Sequence, residues 1–263
     1  MRLKKLFLPT LFLATTLFSS CAGPEKIAPV KNLEQRIEKP SRNFRPDKYA
    51  FLICGSNEER FEYDLSAIYQ TLLRREFKDK NIFILDQKGE EEFLYRSDGQ
   101  STEENVKRVF EYLEKKVDSE DTLVVHIDDH GSHSIGYSHF SAYSLHSVSL
   151  ADTSLTKREL GEYLKKIKPR IGIVTVDTCY AEGMLENCPE EYIRIAGTRA
   201  NSLGLSRKRD SFGGYFYLAW CDEQVKTIND AFEKAKTRHT HSVEGKVEPV
   251  LKTKPNIEQT KIP

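Results

Sequence analysis

The chain has 263 residues, and its 40 Lys and Arg are balanced by 40 Asp and Glu. That balance leaves no global field to draw the chain to nucleic acid or to an anionic bilayer. Five cysteines in this length exclude a disulfide-built scaffold, although an exported chain could still carry a bridge between Cys188 and Cys221.

In chain order, Arg2, Lys4 and Lys5 precede an apolar run from Leu6 to Phe18, and Ser19-Ser20-Cys21 follow. A basic start, a short apolar centre and small residues form a secretory signal, and the centre is too short to span a bilayer as a helix. A Cys directly after two small residues resembles a lipobox. Residues 1–20 are therefore expected to be removed, and Cys21 to be lipidated as the mature first residue. Ala22 follows instead of an Asp, which favours the outer membrane of a bacterial envelope. Residues 21–47 are charged, hold four prolines and have little apolar content, which reads as a flexible tether. Residues 48–245 carry steady hydrophobic periodicity and read as one domain. Residues 246–263 return to low hydrophobicity and read as a loose tail.

Within the domain, Lys48 to Cys54 reads as a strand, with Cys54 as a small buried hydrophobe. Leu65, Ile68, Tyr69, Leu72 and Leu73 mark an amphipathic helix. Asn81 to Asp86 is a second strand. Ser101-x-x-Glu104 reads as a capping box before a helix striped by Val106, Val109, Phe110, Leu113 and Val117. Leu123 to Asp128 is a third strand, and Gly131 to Thr153 a hairpin or flap. Thr156-x-x-Glu159 caps another helix, Ile171 to Asp177 is a fourth strand and Tyr192 to Thr198 a fifth. A basic loop with Arg199, Arg207, Lys208 and Arg209 precedes the aromatic run at Tyr215, and a last helix is expected over Asp222 to Lys236. Strands alternating with helices imply an α/β domain: a mostly parallel sheet of about six strands with helices on both faces.

In such a sheet functional groups sit beyond the carboxyl ends of the strands. His130 and Cys179 occupy two of those ends. A thiolate attacks a carbonyl, and an imidazole beside it can take the thiol proton and later protonate the leaving amine. Gly131 lets a backbone N–H approach the carbonyl oxygen, and with the N–H of Cys179 would form an oxyanion hole. The cluster His126-x-Asp128-Asp129-His130 could also be read as metal ligands. In a strand, however, His126 and Asp128 share a face while Asp129 and His130 lie at the turn, so no metal or cofactor is expected. His126 reads as a satisfied core histidine.

These residues resemble the legumain-like asparaginyl endopeptidases, a family in the caspase-like clan of cysteine peptidases. The resemblance rests on Asp129-His130-Gly131-Ser132 and Asp177-Thr178-Cys179-Tyr180-Ala181-Glu182-Gly183-Met184 after apolar strands. It also rests on Gly55-Ser56-Asn57, and on Arg60, Asp64 and Tyr69-Gln70 in the family's register, with the loop three residues shorter. It covers about Tyr49 to Gly245 and implies a caspase-like three-layer sandwich. It implies His130 as general base and acid, Cys179 as nucleophile and Gly131 as oxyanion donor. Arg60, with Ser132 and Asp177, would contact the residue before the scissile bond. A guanidinium suits a planar amide or carboxylate, so cleavage after Asn or Asp is expected. The family's acidic residue before the aromatic segment falls on Gly214, with Asp210 nearby, which leaves Asn against Asp open. The expected partners are a peptide or protein substrate and, through Cys21, a membrane. A transpeptidase using the same dyad and a catalytically silent envelope binding protein are the competing readings.

Overall fold

The computed structural model describes residues 46–89, 95–137, 142–204, 210–242, 247–253 and 260–263. The signal segment, Cys21, nearly all of the tether, and Arg207, Lys208 and Arg209 of the basic loop lie outside the described residues. Among the described residues no helix is long and apolar enough to cross a membrane.

Four apolar, β-branched runs build the centre of the sheet. They are β1 (Lys48–Ile53), β2 (Ile82–Asp86), β4 (Thr122–Asp128) and β8 (Ile171–Asp177). Short strands β3 (Gly99–Gln100), β9 (Ile193–Ala196) and β10 (Val250–Lys252) extend it to seven, in the order β10-β9-β8-β4-β1-β2-β3. Only β10 runs antiparallel, against β9. Continuous burial of β2 and β4 on both faces is what a parallel sheet covered on both sides requires.

Alternate residues of the strands feed two separate cores. Phe51, Phe83, Val125 and Val174 face α2 (Glu103–Lys116) and α3 (Lys157–Lys166), where Phe110 stacks on Tyr163 at 4.6 Å. Ala50, Leu52, Val124 and Ile173 face α1 (Glu59–Arg74), α4 (Phe212–Trp220) and α5 (Ile228–Ser242), around the fully buried Trp220. The result is a three-layer α/β sandwich with a mostly parallel sheet. The seventh strand exceeds the expected count because β3 and β10 are too short to show a hydrophobic pattern.

The segment expected as a flap forms a second, antiparallel sheet: β5 (Gly131–Tyr137), β6 (Ala142–Ser149) and β7 (Ser154–Thr156). Three expectations need correction. The N-cap of α2 is Thr102, whose hydroxyl accepts from Asn105 N–H, while Ser101 Oγ donates instead to the Cys54 carbonyl. The final helix begins at Ile228, because Thr227 and Asp230 exchange side-chain to backbone hydrogen bonds that start it there. The segment read as a loose tail is partly ordered: Val250–Lys252 completes the sheet edge, Arg199 pairs with Glu248 at 2.7 Å, and Lys261 bridges Thr227. The capping box at Thr156 and Glu159 has both of its reciprocal bonds.

Candidate active site

From β1 the chain winds outward through α1 to β2, and from β4 it winds the other way through β8 to β9. The crevice of a wound sheet opens where that direction reverses, beyond the carboxyl ends of the strands. Beyond β1 lies Gly55 to Glu58, beyond β4 Asp129 to Gly131, and beyond β8 Thr178 to Tyr180. β4 and β8 pair in parallel up to Asp128 against Asp177, so His130 and Cys179 each lie two residues past a paired position. A Cβ on Gly131 would overlap the Cys179 carbonyl oxygen and come within 2.8 Å of Thr178 Oγ1. The two turns therefore touch at Gly131, and only a glycine fits there.

His130 is held by its neighbours on both the backbone and the ring side. Asp129, itself 2% exposed, accepts from His130 N–H through Oδ1 at 2.5 Å and from Gly55 N–H through Oδ2. One carboxylate thereby ties the loop after β4 to the loop after β1. Burial raises the Asp129 carboxyl to about 6. The imidazole Nε2 lies 2.5 Å from Glu58 Oε1, and the ring meets Phe61 edge-on at 5.5 Å. The other Glu58 oxygen accepts from Arg60 Nε at 2.9 Å, and the Arg60 guanidinium lies over Phe61 at 4.3 Å. Hydrogen bonding to His130 is the largest cause that lowers Glu58 below the ordinary carboxylate range.

Cys179 is held by backbone and hydroxyl groups instead. Tyr180 adopts a left-handed conformation (φ 58°), which turns the chain away from the sulfur. Thr198 Oγ1 donates to the Thr178 carbonyl at 3.0 Å and accepts from Ala181 N–H at 2.9 Å, while Tyr180 N–H donates to the Ser202 carbonyl. Gly204 N–H donates to Cys179 Sγ at 3.2 Å.

Beneath the rim three carboxyls meet. Burial pushes Asp64 up to about 7 and holds Asp128 well above its ordinary value, and the two hydrogen-bond each other. Burial also raises Asp177, opposed by the Gly213 N–H that Asp177 Oδ2 accepts at 2.6 Å and by the neighbouring His239 and Arg60. Arg60 also acts on Asp64, so its charge is directed toward this acidic floor. A Cβ on Gly214 would stand 2.7 Å from Asp64 Oδ1, so the space beside Gly214 is filled by a carboxyl from α1.

The structure thus gathers His130, Gly131, Cys179, Arg60 and Asp177 around one edge. Ser132 stands on β5 with its hydroxyl 2.8 Å from Ser147 Oγ. Cys188 and Cys221 are free thiols, so the bridge left open in the sequence is not formed. His126 differs from expectation: it is fully buried with neither ring nitrogen hydrogen-bonded, and burial depresses it to about 3. It stays neutral, edge-on to Tyr217 at 5.4 Å. The sequence offered Glu58 only as an alternative ion-pair partner of Arg60, a pairing the structure has at 2.9 Å, and did not connect it with His130; Thr198 and Gly204 were missed altogether. The signal for the contact of Glu58 with the imidazole is the short connection from Gly55 into α1, and nothing marks the other two.

No family model matches this chain, and no curated protein matches it. Among solved structures, the crystal structure of protein GSU0716 from Geobacter sulfurreducens is similar, with a TM-score of 0.56 at 12% identity over 82% of this chain and 97% of that one. At that identity the likeness carries the three-layer α/β fold alone.

Proposed function

We propose that this chain is a cysteine endopeptidase of the legumain-like kind, cutting peptide bonds after Asn or Asp and held in the bacterial envelope by lipid on Cys21. The observation that carries the reading is the contact of Gly131 with the Cys179 backbone across the paired ends of β4 and β8, in a form that only glycine permits. It supports a reactive carbonyl lying across one shared turn, with Gly131 N–H and Cys179 N–H as oxyanion donors.

In this mechanism His130 takes the thiol proton and the Cys179 sulfur attacks the substrate carbonyl carbon. The tetrahedral species collapses to a thioester as His130 returns the proton to the leaving amine. Water, deprotonated by the same imidazole, then releases the acid and restores the thiol. Arg60 would receive the side chain of the residue before the cut, exchanging Glu58 for a substrate amide or carboxylate.

Labelling tests the reading. A peptidyl electrophile bearing Asn or Asp should attach to Cys179 and fail to attach after Cys179→Ala. Failure of every such probe to mark Cys179 in the folded wild type would favour a silent binding protein instead.

A further inference from the structure

We propose that Glu58 is the positioning residue for His130, fixing the ring so that Nε2 carries the proton and Nδ1 is turned to the nucleophile. The inference rests on the peptidase reading for its role in catalysis, but its geometry does not depend on that reading.

A carboxylate accepts from whichever ring nitrogen holds the proton, so the partner of one nitrogen decides the tautomer and leaves the other as the base. Glu58 Oε1 lies 2.5 Å from His130 Nε2, well within hydrogen-bond distance. The carboxylate is itself held. Its second oxygen accepts from Arg60 Nε at 2.9 Å, and Glu58 occupies the N-cap position of α1, where the helix dipole favours an anion. Phe61 lies against both partners, edge-on to the imidazole and under the guanidinium. Four residues from the first turn of one helix and the end of β4 thereby form a continuous set: Arg60, Glu58, His130 and Phe61. The short connection from Gly55 to α1 puts Glu58, instead of a backbone group, within reach of the ring.

An incidental surface ion pair predicts something different. Both side chains are about half exposed, at 53% for His130 and 47% for Glu58, so removing the carboxylate should scarcely alter stability. Kinetics and spectroscopy therefore separate the alternatives without interference from unfolding.

The test uses the full chain, with Glu58→Ala, Glu58→Gln and Cys179→Ala as variants and peptides containing Asn or Asp as substrates. Positioning predicts that Glu58→Ala lowers kcat by about 10- to 100-fold with KM little changed, the loss seen when a residue orienting a functional histidine is removed. Glu58→Gln, which keeps an acceptor oxygen, should recover part of kcat. An unchanged kcat, or a lowered KM with kcat intact, would overturn the proposal; the second result would mean that Glu58 competes for Arg60. Long-range ¹H–¹⁵N spectra of the His130 ring give a readout independent of turnover. Wild type at alkaline pH should show the Nε2–H tautomer and Glu58→Ala a mixture, and an Nδ1–H form in wild type would refute the idea even if cleavage is never found. Absence of Cys179-dependent cleavage would instead sink the peptidase reading.

Discussion

The two halves of the candidate site are built from different chemistry. The histidine half is held by ionisable side chains: Asp129 beneath the backbone, Glu58 on the ring and Arg60 beyond it. The cysteine half is held by backbone groups and by the hydroxyl of Thr198, with Gly204 N–H on the sulfur. The contrast teaches where pH can act. Protons added or removed near neutrality alter the frame of His130, whereas the frame of Cys179 has no such group in its hydrogen bonds. The two halves meet at Gly131, where neither can yield.

The largest expected effect comes from breaking that meeting point. Gly131→Ala puts a Cβ into the Cys179 carbonyl oxygen, so one of the two turns must move. Under the proposed chemistry that displaces an oxyanion donor, whose loss costs about 10²- to 10³-fold in kcat, and the variant should fall at least that far while melting at a lower temperature than wild type. A fully active Gly131→Ala would show that the two turns are not locked together.

On the cysteine side, Thr198→Val removes a buried hydroxyl that both donates to Thr178 and accepts from Ala181, leaving two backbone groups unpaired. About 1–3 kcal/mol per orphaned group is expected, and urea titration would measure it. The loss should be the same at mildly acid and mildly alkaline pH, since no titrating group is involved.

The acidic floor beneath the histidine side should respond differently. Asp64 and Asp129 titrate in the folded chain at about 7 and about 6, above an unfolded carboxyl. Their contribution to stability is fully present below the ordinary carboxyl value and is lost as pH rises through 6 to 7. His126, depressed to about 3, works in the opposite sense over the acid range, since its contribution is lost as pH falls below the ordinary imidazole value. Above that value His126 no longer contributes, and Asp64 acts together with Asp128 and Asp177, which burial also raises. Asp64→Asn should therefore shrink the drop in melting temperature between about pH 6.5 and about pH 8, and an unchanged drop would mean that Asp64 does not titrate there. The smallest effect belongs far from the site: Thr156→Ala at the capping box of α3 should cost about 1 kcal/mol of stability and leave turnover untouched.

The sequence made the centre of the sheet legible because β1, β2, β4 and β8 are buried on both faces and read as unbroken apolar runs. Adjacency of β4 and β8 did not follow from either run, since it depends on how the chain winds around the switch point. Strands β3 and β10 were hidden by their length of two and three residues. The helix at Phe212–Trp220 was obscured by its Gly213-Gly214 start, which reads as a loop. Those glycines are required by crowding: a Cβ on Gly213 would come within 2.9 Å of His126. Of the site, the residues carrying reactive groups could be named from strand ends, whereas Glu58 and Thr198 could not. Their roles come from what the fold puts beside them.

The central claim is tested most directly by incubating the purified chain with a defined peptide mixture and mapping every new terminus by mass spectrometry. Wild type should cut on the carboxyl side of Asn or Asp, and Cys179→Ala and His130→Ala should not cut at all. Cuts that persist in Cys179→Ala, or a wild type that cleaves no peptide while Cys179 remains unmodified, would contradict it.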